Sequence, residues 1–113
     1  MTINELIIDY EKQFCGIISL VRQSDIYSKT DEIGYWVGEP FWNKGIATFA
    51  VKLITQYGFD QLQFVRIHTG VFEYNVGSMK VLIKNGYVKD GVFKKSIFKN
   101  GNIYDEHRFS KTL

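Results

Sequence analysis

The sequence is poor in cysteine, in proline and in net charge, and each shortage excludes a class of protein. The single cysteine, Cys15, excludes an intrachain disulfide framework and a cysteine-based zinc site, and it suits a reducing compartment. Pro40 is the only proline, and no proline-rich linker divides the chain. Lysine and arginine number 14 against 12 aspartate and glutamate residues, so the strongly basic composition of many nucleic-acid-binding proteins is lacking.

Membrane and targeting signals are also lacking. No apolar run approaches the roughly 20 residues that span a bilayer, and the first residues have neither the basic nor the apolar region of a signal peptide. We therefore expect a cytoplasmic protein with no membrane, nucleic-acid or metal partner. Its 113 residues, 45% of them hydrophobic, suffice for one core, so we expect one domain over residues 1–113.

Hydrophobic periodicity predicts an α+β fold with the element order β-β-β-α-β-α-β-β. A hairpin lies at each end, and the crossover helix between them requires one parallel strand pair in a mixed, mostly antiparallel sheet with the helices packed on it. The predicted strands are Leu6–Tyr10, Phe14–Arg22, Asp31–Gly38, Phe64–Phe72, Val92–Lys99 and Asn102–Ser110. The predicted helices run from Gly45 to about Asp60 and from an N-cap at Asn75 to Lys84.

Local signals refine these elements. Lys84-Asn85-Gly86-Tyr87 is typical of a Schellman helix end, Asn100-Gly101 is a strong hairpin signal, and Gln23–Thr30 is a polar loop. In the fourth strand, Val65 is expected on the same side as Ile67. The second helix is expected to carry Met79, Leu82 and Ile83 as its apolar residues. In the first helix the predicted apolar stripe is Ile46, Ala50, Leu53, Ile54 and Tyr57, with Lys52, Thr55, Gln56 and Asp60 opposite.

The most informative segment is Glu32–Thr48, where a strand ends, a loop turns and a helix begins. Helix N-termini present unpaired N–H groups and a positive dipole end, which together bind phosphate. Small residues at Gly45 and Ala47 admit a ligand close to the backbone. The Walker motif and the dinucleotide motif are both absent. A phosphate site and a tight strand-to-helix turn explain this segment equally well.

The residues Trp42-Asn43-Lys44-Gly45-Ile46-Ala47 resemble the acetyl-CoA pyrophosphate loop, Q/R-x-x-G-x-G/A, of the GNAT superfamily of N-acetyltransferases, with Trp42 in place of Gln or Arg. Glu32–Gly38 resembles that family's fourth strand, and Arg66–Tyr87 its fifth strand and following helix. Asn100–Asp105 resembles the closing hairpin of the ribosomal-protein (Rim-like) branch. The family's first strand and first two helices have no counterpart before Leu6.

The resemblance implies a fold, a cosubstrate and an activity. Acetyl-CoA would lie in a cleft between two parallel strands that splay apart, and its acetyl group would pass directly to a primary amine of a protein N-terminus or a small molecule. The pantetheine arm would pair with the backbone edge of Tyr35–Val37 like an added strand. Lys80 and Lys84 are further phosphate candidates. The implied cofactor-binding residues are Trp36, Val37, Asn43, Lys44, Gly45, Ile46, Ala47, Thr48 and Asn75.

Two residues carry the catalytic prediction that follows from this resemblance. Ser78 would donate a hydrogen bond to the departing thiolate, although a serine in a first helical turn also bonds local backbone. Glu32 would act as base for the amine, through a water molecule, although a solvated strand-end carboxylate is the simpler interpretation. His68 and Glu73 are weaker candidates. Asn75 is equally well explained as a plain N-cap.

Two further interpretations remain open at this point. Beside an active N-acetyltransferase, the chain is explained by a CoA-binding remnant without catalysis or by a small α+β interaction domain. Without the family's first elements, an apolar face or strand edge is expected to be bare, which favours a homodimer.

Overall fold

The computed structural model describes residues 3–22 and 29–113, so most of the predicted loop Gln23–Thr30 lies outside the described residues. The strands predicted at both ends of the chain are present. The fifth strand is longer than predicted, because it begins at Val88 rather than Val92, and the sixth ends at Thr112 rather than Ser110. A short 3₁₀ turn, Glu39–Phe41, follows the third strand. The elements are β1 (Ile3–Tyr10), β2 (Gln13–Arg22), β3 (Thr30–Val37), α1 (Ile46–Asp60), β4 (Arg66–Phe72), α2 (Val76–Lys84), β5 (Val88–Lys99) and β6 (Asn102–Thr112).

The six strands form one mixed sheet in the order β1-β2-β3-β4-β6-β5. The pairs β1–β2, β2–β3, β4–β6 and β5–β6 are antiparallel, and β3–β4 is parallel. The parallel pair is the one that helix α1 connects, as a crossover requires. The predicted α+β class and element order are therefore confirmed.

The parallel pairing between β3 and β4 is short, and it leaves the ends of the two strands apart. β3 and β4 are in register only from Thr30–Arg66 to Glu32–His68. β3 then continues to Val37 and β4 to Phe72 without further pairing between them. Beyond Glu32 the facing edge of β3 therefore has no strand partner, and a cleft opens between the C-terminal ends of the two strands.

The core lies between one face of the sheet and the two helices. Ile33, Ile67 and Phe109 from the sheet are almost fully buried together with Val51 of α1 and Leu82 of α2. In β4 the buried positions are Ile67, Thr69 and Val71, so alternation is strict once the strand begins.

The predicted apolar stripe of α1 is partly wrong. Leu53 is 50% exposed and Tyr57 is 38% exposed, whereas Thr55, predicted to face solvent, is buried. The Thr55 hydroxyl shares a 2.7 Å hydrogen bond with the Tyr87 hydroxyl, which satisfies both groups inside the core. The helix therefore has two apolar faces, one packed on the sheet and one uncovered, and periodicity could not tell them apart.

One smaller prediction also fails, and one of the expected apolar residues of α2 is exposed. Val65 is exposed because it precedes β4, where its N–H donates to the carbonyl of Lys29 rather than to a sheet partner. Ile83 is exposed because the short helix α2 turns only Leu82 fully inward. Neither helix in the described part of the chain has the length and apolarity to cross a membrane.

The predicted ends and turns are confirmed in detail. Tyr87 N–H donates to the carbonyl of Leu82 and Gly86 N–H to that of Ile83, which is the Schellman pattern, with Gly86 at φ 84°. Asn100 and Gly101 have φ of 53° and 78°, as a type I′ hairpin turn requires.

Candidate active site

The cleft between the diverging ends of β3 and β4 has a volume of about 700 Å³. The end of β3, the loop before α1 and the first turns of both helices line it. Of the residues predicted from the sequence, the structure brings together Trp36, Val37, Asn43, Gly45, Ile46, Ala47, Thr48, Asn75 and Ser78. Lys44 instead lines a second concavity. Glu32 lies beside Arg108 on the sheet face opposite the helices.

One end of the cleft is the N-terminus of α1. Gly45 is the N-cap and adopts φ 77°, with no side chain capping the helix. The first helical hydrogen bond runs from Phe49 N–H to the Gly45 carbonyl at 3.0 Å, so the N–H groups of the first turn have no partner within the helix. A Cβ built on Gly45 would meet nothing within 4 Å. This space, together with Lys80 and Lys84 along the cleft, fits an anionic ligand.

At the other end of the cleft, α2 begins with a side-chain cap. Asn75 Oδ1 accepts a hydrogen bond of 3.1 Å from the Ser78 N–H. The N-cap interpretation of Asn75 is therefore confirmed, and the cap uses the side-chain oxygen of Asn75. The amide nitrogen of the same side chain is the group left to contact a ligand.

Ser78 is held by a tyrosine that the sequence did not suggest as its partner. The hydroxyl groups of Tyr35 and Ser78 lie 2.5 Å apart, and the Tyr35 hydroxyl is also 3.2 Å from the Ser78 carbonyl oxygen. Burial raises the pKa of Tyr35 above 10.0, and the hydrogen bond with Ser78 acts against this rise. The alternation of β3, which turns Ile33 and Tyr35 to the same face, was the available signal.

The indole of Trp42 closes part of the exposed strand edge. Its Nε1–H donates to the Val37 carbonyl at 2.7 Å. One of the backbone acceptors predicted to meet pantetheine therefore already has a donor. Trp36 and Trp42 are both largely exposed at this end of the cleft.

A polar cluster lies on the sheet face opposite the helices, where β3 and β4 are still paired. Glu32 Oε2 is 3.7 Å from Arg108 Nη2, and Arg108 Nη1 is 3.1 Å from Glu106 Oε2. Arg108 Nη2 also lies 2.9 Å from Nδ1 of His68. Because a guanidinium only donates, Nδ1 of His68 accepts and the ring is neutral in this arrangement.

The three predicted base candidates, Glu32, His68 and Glu73, differ in their surroundings. Burial lowers the pKa of His68 below 6.5, with the charge of Glu32 acting against it. Glu32 keeps 44% of its side chain exposed, and an ionised carboxylate can accept hydrogen bonds but not donate them. Glu73 Oε1 accepts a hydrogen bond of 2.9 Å from the Asp105 N–H, which joins the segment before α2 to β6. Glu32, His68 and Glu73 all lie outside the lining of the cleft.

The second concavity, which we call the groove, lies between β1 and α1 and has a volume of about 600 Å³. Its lining is almost wholly apolar, with Asp9 and Lys44 as the charged members. Exposed apolar residues from both elements form it: Leu6, Ile7, Tyr10, Phe49, Leu53 and Tyr57.

Several known proteins are similar to this chain in sequence. YjcK of Bacillus subtilis, a probable N-acetyltransferase, is 36% identical over 98 residues, covering 87% of this chain and 54% of the relative. The ribosomal-protein-serine acetyltransferase of Escherichia coli is 29% identical over 103 residues, covering 91% of this chain and 57% of the relative. The chain thus spans about half the length of the curated relatives it matches.

A solved structure and a family model agree with these relatives. The microcin C7 self-immunity acetyltransferase MccE, solved in complex with acetyl-CoA and AMP, superposes with a TM-score of 0.85 at 33% identity. The match covers 98% of this chain and 61% of MccE. The sequence model of the acetyltransferase (GNAT) domain matches residues 2–88, which is most of the chain. With its splayed parallel strands and open helix N-terminus, this chain belongs to the GNAT family of acetyltransferases.

Proposed function

We propose that this chain transfers the acetyl group of acetyl-CoA directly to a primary amine, of a protein N-terminus or of a small molecule. The observation that carries the proposal is the cleft itself. It has an open helix N-terminus at Gly45 at one end and the hydroxyl group of Ser78 at the other. The MccE structure, which contains acetyl-CoA, supports this choice of cosubstrate.

The residues present fit acetyl-CoA. The backbone N–H groups from Asn43 to Thr48 would hold the pyrophosphate, with Lys80 and Lys84 adding positive charge. Trp36 and Val37 would border the pantetheine arm at the edge of β3, and the Asn75 amide would bind one of its amide carbonyls. Open space above Gly45 leaves room for phosphate oxygens close to the backbone.

The transfer needs two groups from the protein: a hydrogen-bond donor for the sulfur and a base for the amine. In the reaction the amine nitrogen forms a bond to the thioester carbon, the carbon–sulfur bond breaks, and its electron pair stays on sulfur. Ser78 would donate a hydrogen bond to that sulfur as its charge develops. Glu32 would receive the proton that the amine loses. Because Glu32 and Ser78 lie on opposite faces of the sheet, a water molecule would carry the proton from the amine to Glu32. Arg108 holds the Glu32 carboxylate in place.

A second candidate function is supported by one observation. The groove leaves apolar residues of β1 and α1 uncovered beside the cleft. A chain that binds CoA without catalysing transfer would have the same cleft.

The surface and the composition support further proposals on oligomeric state, compartment and partners. The groove and the edge position of β1 support a homodimer. The one cysteine, Cys15, is buried and unpaired, which suits the cytoplasm. We infer one domain over residues 1–113, with no nucleic-acid, membrane or metal partner.

Calorimetric titration with acetyl-CoA and with CoA, followed by CoA-release assays, tests the proposal. The acceptors are peptides with free N-termini and a panel of polyamines. Saturable binding with acceptor-dependent CoA release is the expected result, and Glu32→Gln should lower release while leaving binding unchanged. Binding without release on any amine would favour the second candidate function. No binding of either ligand would overturn both.

A further inference from the structure

The Tyr35–Ser78 pair contains more hydrogen-bond acceptors than hydrogens. Tyr35 has one hydroxyl hydrogen and two acceptors within reach, the Ser78 carbonyl at 3.2 Å and the Ser78 hydroxyl oxygen at 2.5 Å. Ser78 likewise has one hydroxyl hydrogen. The pair therefore has two hydrogen arrangements, and these differ in what Ser78 can do next.

In the first arrangement Tyr35 donates to the Ser78 carbonyl, and the Ser78 hydroxyl donates to Tyr35. The serine hydrogen is then occupied within the protein. In the second arrangement Tyr35 donates to Ser78 Oγ, so one lone pair of that oxygen is filled and the serine hydrogen points away from Tyr35. Ser78 lines the cleft, so the second arrangement leaves its hydrogen free to point into the cleft.

We propose that Tyr35 is a positioning residue for the transfer reaction: by donating to Ser78 Oγ it frees and aims the Ser78 hydroxyl hydrogen at the sulfur of acetyl-CoA. This inference rests on the proposed function. No proton leaves Tyr35 in the step. The carbon–sulfur bond breaks, its electron pair stays on sulfur, and the sulfur accepts the hydrogen bond that Ser78 donates.

The physical basis is the cooperativity of hydrogen-bond chains. A hydroxyl that accepts a hydrogen bond becomes a better donor, and this effect is stronger where water is excluded. Burial raises the pKa of Tyr35, so the phenol stays protonated and remains a donor at neutral pH. Lys80 and Lys84 also line the cleft, and their charges act on the sulfur equally in every variant below.

The thiol pKa of bound CoA measures this contact without any amine acceptor. A hydrogen bond to the thiolate lowers that pKa, and it can be followed by thiolate absorbance of the CoA-bound protein minus that of the free protein. The subtraction removes the signal of Cys15. Ser78→Ala should raise the thiol pKa by about one unit, the effect of losing one charge-assisted hydrogen bond. Tyr35→Phe should raise it by a substantial part of that shift.

Both variants are expected to keep the fold. The N-cap of α2 uses the backbone N–H of Ser78, which Ser78→Ala retains. Tyr87→Phe is the matched control for Tyr35→Phe. The Tyr87 hydroxyl is also buried and bonded to a hydroxyl, that of Thr55 at 2.7 Å, and burial raises its pKa to about 12. Tyr87 lies outside the cleft, so its variant should leave the thiol pKa unchanged.

The decisive comparison is the double variant. If Tyr35 acts through Ser78, Tyr35→Phe causes no further shift in the Ser78→Ala background. An equal shift in both backgrounds, or no shift from Tyr35→Phe, would overturn the inference and leave the proposed function intact. Failure of the wild-type chain to bind CoA would overturn both. In a chain active on an amine, Tyr35→Phe should also lower kcat about tenfold with little change in KM for acetyl-CoA.

Discussion

The cleft and the groove share the first turn of α1 yet have opposite chemistry. Gly45 and Ile46 border both concavities, which are also similar in volume. The cleft brings together the backbone of a helix N-terminus, the capping asparagine Asn75 and the hydroxyl groups of Tyr35 and Ser78. In the groove, aliphatic and aromatic side chains of β1 and α1 face each other with few polar groups among them.

The difference shows how each kind of surface arises. The polar groups of the cleft stand at ends of elements, where backbone N–H groups and cap side chains are unpaired or oriented by local bonds. The apolar residues of the groove stand along the faces of elements, where nothing in the described structure covers them. Ends of elements therefore supply ligand chemistry here, whereas uncovered faces supply a surface for association.

The largest effect should come from Gly45→Val, which tests whether the cleft binds phosphate through its backbone. A side chain at this position would occupy the open space above the loop and strain a residue at φ 77°. Loss of charge-assisted hydrogen bonds, each about 1.5–3 kcal/mol, predicts affinity for acetyl-CoA at least about 100-fold weaker. Calorimetric titration measures it.

The control for that variant is Gly101→Val. Gly101 has φ 78° and also has nothing within 4 Å of a built Cβ, but it lies in the β5–β6 turn. Both variants carry similar backbone strain, about 1–2 kcal/mol, so only the loss specific to Gly45 reports on the cleft. Normal acetyl-CoA binding by a folded Gly45→Val protein would mean that this loop is not the site.

The next effect concerns the groove. If two copies associate through it, Leu53→Glu places a charge in an apolar interface and should weaken the dimer by about tenfold or more. Binding of acetyl-CoA should not change, because Leu53 faces the groove and not the cleft. Light scattering across a concentration series measures the dimer, and a monomeric wild-type chain at high concentration would refute the association.

Ile103→Glu distinguishes two routes to a dimer. Ile103 is an exposed apolar residue on β6 beside the closing turn, outside the groove. A dimer held by the groove should survive this change. A dimer that dissociates in Ile103→Glu but not in Leu53→Glu would point to exchange of the C-terminal hairpin instead.

The smallest effect should come from Asn75→Ala, because Asn75 serves both the fold and the cleft. Loss of its cap on Ser78 N–H should lower the free energy of unfolding by about 1 kcal/mol, measured by urea denaturation. Loss of a contact to pantetheine should weaken acetyl-CoA binding about fivefold. Asn75→Asp keeps a capping oxygen but removes the amide donor, so it should restore stability and not affinity. Restored affinity in that variant would limit Asn75 to a capping role.

The parts of the fold that the sequence predicted are those set by local interactions. The N-cap at Asn75, the helix end at Gly86 and the turn at Asn100-Gly101 each depend on a few neighbouring residues. The loop at Gly45 was also predicted, because a strand–glycine–helix transition is local. The segments that these signals marked at Gly45 and Asn75 lie together along the cleft, and their role in binding stays a prediction.

The remaining features depend on contacts between distant segments. Tyr35 and Ser78 are separated by 43 positions, and the alternation of β3 indicates only which face Tyr35 occupies, not that Ser78 is its partner. The contact of Arg108 with Glu32 and His68 joins three strands. The two apolar faces of α1 differ only in whether something packs on them, so Leu53 and Thr55 were assigned to the wrong environments.

The positions of the tryptophans give the cleft its own optical signal. Trp36 and Trp42 are the chain's two tryptophans, both line the cleft, and they are 57% and 58% exposed. Indole fluorescence depends on polarity and on hydrogen bonding at the ring nitrogen, and the Trp42 ring nitrogen donates to the Val37 carbonyl. Tryptophan emission from this protein therefore originates entirely at the cleft. A ligand that displaces the indole from that carbonyl would shift the emission spectrum of the unlabelled chain.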